Sequence, residues 1–172
     1  MRMRTLWTAT ALVAAMTMAA HAQTADFTGT WNLNLAKSFL GGEHPASNYQ
    51  LITILAQKSG SIEQTDIARN VSMVNIPMPN SKTSTSFETD GKEHEVQLPG
   101  MFPGLPPTTT AVTAEWQGNT LFVTERANSF GRPSLTYRRY FLSDNGEELI
   151  ELVQGHTSFG DSDQRLVFDK QP

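Results

Sequence analysis

The sequence contains no cysteine among its 172 residues. This absence excludes a disulfide framework, a thiolate nucleophile and a thiolate metal site. Basic residues are also scarce, because 13 lysines and arginines face 17 acidic residues and the net charge is −4. Proteins that bind nucleic acid or an anionic membrane surface need clustered positive charge, so neither partner is expected.

A long apolar run occurs only at the N-terminus. Arg2 and Arg4 precede the largely apolar segment 6–20, and Ala20-His21-Ala22 has small residues at both positions that signal peptidase reads. This pattern predicts a signal peptide over 1–22. The alternative is a membrane anchor, but the run is shorter than the roughly 20 residues that a span needs. We therefore expect a periplasmic or secreted protein of net charge −6, with no integral membrane association after cleavage.

Residues 23–172 are predicted to form a single domain. No stretch of this domain has a sustained 3.6-residue apolar period, so the helices that connect parallel strands are missing. Instead, short alternating segments are separated by turns about ten residues apart, which is typical of an all-β fold. The predicted strands are Phe27–Leu35, Tyr49–Gln57, Ile62–Ala68, Val71–Ile76, Thr85–Glu88, Glu93–Leu98, Thr109–Trp116, Leu121–Arg126, Leu135–Leu142, Glu148–Gln154 and Arg165–Phe168.

Three tight hairpins are predicted between consecutive strands. Asp90-Gly91, Gln117-Gly118-Asn119 and Ser143–Gly146 supply the positive φ angles that such turns require. Short links between neighbours favour an antiparallel up-and-down meander, and closing this meander into a β-barrel removes its exposed edges. An open two-sheet β-sandwich is the alternative.

A proline-rich loop follows at 99–107. Its prolines exclude a central strand, yet Met101, Phe102 and Leu105 are apolar. These three side chains are predicted to form either a lid or contact surface, or a plug over one end of the barrel.

The first predicted strand carries the sequence Phe27-Thr28-Gly29-Thr30-Trp31. A Gly-x-Trp at the start of a β-meander resembles the lipocalin and broader calycin pattern. The segment 27–38, which ends in Lys37-Ser38, and the late segment Leu166-Val167-Phe168-Asp169 together resemble small secreted bacterial lipocalin-like proteins. Most of those proteins have no assigned activity. The resemblance implies a barrel in which Gly29 permits a close backbone approach, Trp31 closes the bottom and Arg165 packs across the indole. It carries over no ligand and no binding residues.

Metal-binding patterns are weakly represented. His44, His94 and His156 follow the signal peptide, but they lack the H-x-H or H-E-x-x-H spacing. Asp161 and Asp163 flank a serine without the closing glutamate of a calcium loop. We therefore expect no metal and no cofactor.

A serine and a histidine form one candidate catalytic pair. His156 and Ser158 would share a face of a strand, but no orienting acid is evident. Neither Ser129 nor Ser158 lies in the G-x-S-x-G elbow of hydrolases. Turn formation is the favoured interpretation of both serines.

Four arginines cluster around one predicted hairpin, at positions 126, 132, 138 and 139. Arg138 and Arg139 point to opposite faces of their strand, and one of them is predicted to meet a ligand carboxylate or phosphate inside the barrel. The favoured interpretation of these arginines is nevertheless a surface arginine paired across strands with Glu115, Glu125 or Glu151. The predicted ligand-binding set is Tyr137, Arg139, Phe141, Leu121 and Val123.

The favoured function is non-enzymatic binding of a small, largely apolar molecule inside a lipocalin-like barrel. One alternative is an interaction or structural barrel with a filled interior and no ligand. A second is a hydrolase-type enzyme, which a convergent polar cluster within a cavity would favour. The sequence predicts no particular oligomeric state.

Overall fold

The computed structural model describes residues 24–41, 48–73, 76–77, 79–98, 107–129, 131–158 and 160–172. The predictions for the signal peptide, for His44 and for Met101, Phe102 and Leu105 lie outside these residues. The described part contains no helix of the length and apolarity that a membrane span needs.

The described residues form twelve strands, because period-two alternation and turn glycines recur along the chain. Their bounds are β1 Gly29–Leu33, β2 Gln50–Lys58, β3 Ser61–Arg69, β4 Ser72–Met73, β5 Ile76–Pro77, β6 Ser81–Glu88, β7 Asp90–Leu98, β8 Thr108–Gln117, β9 Thr120–Ser129, β10 Arg132–Leu142, β11 Glu148–Thr157 and β12 Gly160–Lys170.

Ten of these strands build a single antiparallel sheet. Its order is β6-β3-β2-β1-β12-β11-β10-β9-β8-β7, and every neighbouring pair is antiparallel. The edge strands β6 and β7 lie against each other without a hydrogen-bonded ladder. The sheet therefore curls into a nearly closed barrel, which confirms the predicted meander barrel over the open sandwich.

One of the three predicted hairpins is wrong. The β8–β9 and β10–β11 hairpins form at Gly118 and Gly146, but β6 and β7 are the two edges of the sheet rather than a ladder pair. Gly91, at φ +74°, instead lies where the register of β7 against β8 shifts. The Thr89 amide, between the two edge strands, donates to the Gly60 carbonyl at 2.8 Å. The glycine thus serves a bulge, the other common use of positive φ in a sheet.

The predicted strand Val71–Ile76 is also wrong. The segment forms two two-residue strands, β4 and β5, which pair only with each other. The reason is that β6 occupies the free edge of β3, with Ala68 opposite Ser81. The edge of β3 is therefore not available to the intervening segment.

Large apolar side chains fill one end of the barrel. Ile62, Leu121 and Leu149 are almost fully buried, and each follows within three residues a turn glycine at position 60, 118 or 146. We call this end, where those three turns lie, the closed end. Phe27, Trp31 and Phe168 complete the same core, and each such side chain contributes about 1.5–3 kcal/mol by leaving water.

Trp31 and Gly29 lie together at the closed end. The buried indole N–H donates to the Phe27 carbonyl at 2.9 Å. Gly29 has a φ of +151°, and a Cβ there would lie 3.5 Å from Lys170 Cε and 3.7 Å from the indole nitrogen. Both distances are ordinary van der Waals contacts, so the positive φ, rather than a close approach, favours glycine at this position.

Lys170, and not Arg165, lies across the indole. Its Nζ is 5.3 Å from the Trp31 ring centroid, because Trp31 and Lys170 are directly paired in the β1–β12 register. Arg165 pairs with Phe39, and its guanidinium donates to the Lys37 carbonyl at 3.0 Å. The two basic residues are five positions apart on β12, so their side chains point to opposite faces.

The segment that follows β1 is pinned to β12. Ser38 Oγ accepts from the Val167 amide at 2.9 Å and donates to the Asn34 carbonyl at 2.7 Å. Lys37 Nζ reaches Glu148 at 2.6 Å and Asp169 at 3.3 Å. Lys37 and Ser38 therefore hold the segment that follows β1 against β12.

Candidate functional site

A cavity of about 240 Å³ lies inside the barrel. Four of its lining side chains are apolar, namely Phe87, Leu98, Val112 and Val123. The polar lining consists of Gln64, Asp66, Thr83, Thr85, Glu125, Arg138 and Tyr140. The volume lies slightly below the 300–1,000 Å³ of drug-sized ligand sites, so the cavity suits a small molecule.

Two larger depressions, each of about 510 Å³, lie at the surface. One is at the closed end, near Gly60 and Trp116. The other is beside Leu135 and His156, toward the opposite end. Both are more open to solvent than the internal cavity, and neither gathers the charged groups found inside.

Arg138 is the centre of an internal ion network. Its Nε lies 3.1 Å from Glu125 Oε1, and one terminal nitrogen lies 2.6 Å from Glu151 Oε1. The Tyr140 hydroxyl donates to the same Glu151 oxygen at 2.9 Å. Glu151 and Tyr140 are only 5% and 4% exposed, whereas the side chains of Arg138 and Glu125 are 30% and 22% exposed. The network is therefore buried at its Glu151 end, and its ion-paired hydrogen bonds are charge-assisted.

The electrostatics keep Tyr140 and Arg138 in fixed protonation states. Burial raises the pKa of the Tyr140 hydroxyl well above its ordinary value, and nearby Glu151 raises it further. Burial also acts to lower the pKa of Arg138, but interactions with Tyr140, Glu151 and Glu125 outweigh it and hold that pKa well above its ordinary value. Tyr140 therefore remains a neutral donor and Arg138 a cation.

Asp66 belongs to the opposite part of the sheet. Thr53 Oγ1 donates to one of its carboxylate oxygens at 2.8 Å, and Gln64 Nε2 donates to the other at 2.9 Å. Burial raises the pKa of Asp66 above its ordinary value of 3.8, although these two hydrogen bonds act to lower it. Glu151 raises the same pKa and Arg138 lowers it. Asp66 therefore interacts electrostatically with the ion network inside the barrel.

The cavity carries more acid than base. Asp66 and Glu125 line it beside Arg138, and Glu151 lies behind Arg138 as its shortest ion pair. Glu125 and Glu151 are both paired with the guanidinium, and Glu151 also accepts from the Tyr140 hydroxyl. This part of the wall is therefore a connected set of hydrogen-bonded polar groups.

Thr110 adds an unmatched polar group to the inner wall. Its side chain is 1% exposed, and Oγ1 has no hydrogen-bond partner among the described residues. On β8 it lies two residues from cavity-lining Val112, on the same inward face. Buried hydroxyls are usually paired, so this part of the wall has hydrogen-bonding capacity to spare.

The register divides the predicted ligand-binding residues between the two faces of the sheet. Leu121 and Val123 point inward and are almost fully buried. They pair with Tyr140 and Arg138, which therefore share their face. Tyr137, Arg139 and Phe141 alternate with that pair and face outward.

Arg138 therefore takes the interior position that the sequence analysis assigned to Arg139. Tyr137 is 41% exposed, and its ring meets His156 edge-on with centroids 6.0 Å apart. The predicted ligand-binding set is wrong for the β10 residues because a shift of one residue along a strand exchanges its inward and outward faces. The predicted cross-strand pairing of an arginine with Glu125 or Glu151 does occur, but it lies inside the barrel and not at the surface as predicted.

Asp66, Gln64 and Thr53 were missed by sequence reasoning. A signal was present for Glu151, a lone acid in the apolar run 149–153, and such an acid is seldom buried without a partner. Asp66 also shares the face of buried Ile62. Nothing local indicated that these two acids would face one interior.

The predicted His156–Ser158 pair lies outside the cavity. His156 Nδ1 contacts Asp161 at 2.9 Å, and both side chains are exposed. An acid is thus beside the histidine, but the group faces solvent. Within the described residues, no three histidine or acidic side chains are grouped so as to hold a metal ion.

No protein-family model and no curated protein matches the sequence. Solved structures do match it. The zebrafish ileal bile acid-binding protein complexed with cholic acid has a TM-score of 0.54 at 15% identity, covering 84% of this chain and 98% of that one. The apo Caenorhabditis elegans lipid binding protein 8 has a TM-score of 0.55 at 12% identity, covering 87% and 100%. At such low identity the likeness establishes the fold alone, a nearly closed antiparallel β-barrel of ten strands among the described residues.

Proposed function

We propose that this protein is a non-enzymatic binder of a small, largely apolar molecule, which it holds inside the barrel. The observation that carries this proposal is the internal cavity, whose lining combines four apolar side chains with a cluster of charged and hydroxyl groups. Concave apolar sites with a few convergent polar groups are the usual form of ligand pockets. The bile acid-binding and lipid-binding proteins that share the fold support the same reading.

The polar wall also argues against an interior that exists only as packing. Removing charged side chains from water is costly, and an apolar replacement of similar volume is often equally stable or more so. Glu151, Arg138 and Tyr140 are nevertheless concentrated on one wall beside empty space. A ligand with a polar end accounts for both the space and the charges.

The binding proposal is tested by titrating the purified protein with octan-1-ol. We expect saturable heat in calorimetry and shifts of the Val112, Val123 and Leu98 methyl resonances. Val123→Phe fills the cavity and should abolish both signals. Thr124→Phe adds the same ring to the outward face of the same strand and should leave them unchanged. Equal binding by both variants, or no saturable binding by octanol, octylammonium or octanoate, would contradict the proposal.

We further propose that the protein is exported and belongs with the small secreted bacterial lipocalin-like proteins that its opening motif resembles. The supporting observation is the charged, apolar and small-residue pattern of 1–22. Expression of the full chain in a bacterium, followed by fractionation and intact-mass measurement, tests this. We expect a periplasmic or secreted product that begins at Gln23. An uncleaved chain retained in the cytoplasm would refute it.

A further inference from the structure

We propose that the ligand of the internal cavity carries a positively charged amine on a small apolar body, with the Asp66 carboxylate as its counter-ion. This inference rests on the binding function proposed above and names the chemical class of the ligand. It follows from the charge and the hydrogen bonds of the cavity wall.

The cavity holds an excess of negative charge. Among the described residues that line it, Arg138 is the only cation, whereas Asp66 and Glu125 are both acids. Glu151, immediately behind, is a third acid. Since charges interact strongly where water is excluded, this interior attracts a cation and repels an anion.

The charge of Arg138 is already matched by two acids. Its Nε is directed at Glu125 and a terminal nitrogen at Glu151. These contacts leave three of its five N–H donors, but a ligand carboxylate would add a further negative charge to a wall whose acids already outnumber its one cation among the described residues. The Arg138 guanidinium therefore serves to hold Glu125 and Glu151 in place rather than to bind a ligand anion.

Asp66 is the acid that remains for a ligand. Its two hydrogen-bond donors, Thr53 and Gln64, are both neutral. Each carboxylate oxygen accepts more than one hydrogen bond, so lone pairs remain for an ammonium group. The raised pKa of Asp66, which results mainly from burial, is consistent with a carboxylate that has no cation in contact.

Thr83 and Thr85 add neutral acceptors to the cavity lining. A hydroxyl oxygen accepts a hydrogen bond from an ammonium group. Thr110, whose Oγ1 is buried and unpartnered among the described residues, is on the same inward face of the sheet beyond the Val112–Glu125 pair and does not itself line the cavity.

A matched series of probes tests the inference at pH 7. n-Octylammonium, octan-1-ol and octanoate share one tail and differ in charge, and calorimetry with the wild-type protein gives their relative affinities. We expect octylammonium to bind at least tenfold more tightly than octanol, and octanoate to bind more weakly than octanol. Octanol or octanoate binding as tightly as octylammonium would overturn the amine assignment while leaving the binding function standing.

Two single-charge variants of β3 locate the effect. Asp66→Asn preserves the shape of the side chain and should reduce octylammonium affinity at least tenfold, with octanol affinity unchanged. Glu63→Gln removes one charge from the same strand, where Glu63 pairs with Lys58 on the outside, and should change neither affinity. An equal loss in both variants would mean that net charge, and not Asp66, attracts the amine. Failure of all three probes with the wild-type protein would instead refute the proposed binding function.

Discussion

At the scale of single residues, the interior of this barrel depends on one guanidinium. Arg138 joins Glu125 to Glu151, and Tyr140 shares the Glu151 oxygen. Each group satisfies its neighbour, so loss of one member leaves another buried without its partner. Replacing one member of the network should therefore lower the free energy of unfolding more than replacing two paired members together.

We predict that Glu151→Leu destabilises the fold by about 1–3 kcal/mol, since it leaves Arg138 with one acid and Tyr140 without its acceptor. Urea unfolding at pH 7 measures the loss. The double variant Glu151→Leu with Arg138→Leu should recover part of it, because the uncompensated cation is removed. A double variant less stable than the sum of the two single variants would count against this network.

Asp66 gives stability a defined dependence on pH. The carboxyl titrates near 3.8 when unfolded and at higher pH when folded. Between these values the folded state binds the proton more tightly, so the contribution is complete below 3.8 and is lost as pH rises through the folded pKa. The groups acting on Asp66 are Thr53, Gln64, Glu151 and Arg138.

Asp66→Asn should remove that pH-dependent loss. We expect the stability of the variant relative to wild type to rise between pH 4 and pH 7, measured as the shift in the urea midpoint. Glu63→Gln, on the outer face of the same strand, should show no such rise. A constant difference between Asp66→Asn and wild type across this range would show that Asp66 titrates alike in both states.

At the scale of elements, residues 34–38, which follow β1, are bound to β12, and we call this segment the clasp. The Val167 amide donates to Ser38 Oγ, which in turn donates to the Asn34 carbonyl. Lys37 adds an exposed ion pair, which contributes little by itself. The serine is therefore the more important of the two motif residues for holding the first and last strands together.

Ser38→Ala should cost about 1–2 kcal/mol of unfolding free energy, because it leaves the Val167 amide without this acceptor. Thermal denaturation gives the comparison. Ser59→Ala changes an exposed turn serine in the same way and should be nearly neutral. Equal effects of the two substitutions would show that the clasp is not stabilising.

At the scale of the whole molecule, barrel closure is incomplete at one seam. Strands β6 and β7 are in contact but share no ladder, so their facing backbone groups lack the partners that every internal strand has. Such a seam is the place where a barrel of this kind opens at least cost in hydrogen bonds.

We predict that amides of β6 and β7 exchange with solvent at least tenfold faster than those of β10 and β11 under native conditions. Hydrogen exchange followed by mass spectrometry resolves the four strands. Octylammonium at saturating concentration should slow exchange in β3 and β6, which carry Asp66, Thr83 and Thr85 of the cavity wall. Uniform exchange over all four strands would show that the seam is not a weak point.

Much of the fold was predictable because its causes are local. Alternation in segments such as Tyr49–Gln57 indicates strands, and Gly118 and Gly146 indicate the hairpins that form there. The Asp90-Gly91 signal failed because positive φ serves a bulge as well as a turn. Tight-turn signals predict which strands are consecutive, but they do not predict which neighbouring pair of strands in the barrel lacks a hydrogen-bonded ladder.

The sequence by itself determined an antiparallel β-barrel built from consecutive strands, since period two and turn glycines act over a few residues. Only the tertiary structure decided that Arg138 rather than Arg139 faces inward, because a shift of one residue in register exchanges the two faces. Closure likewise decided that Asp66 and Glu151, 85 positions apart in the sequence, act on one interior. Proximity across a barrel comes from the path of the whole sheet, which no local pattern contains.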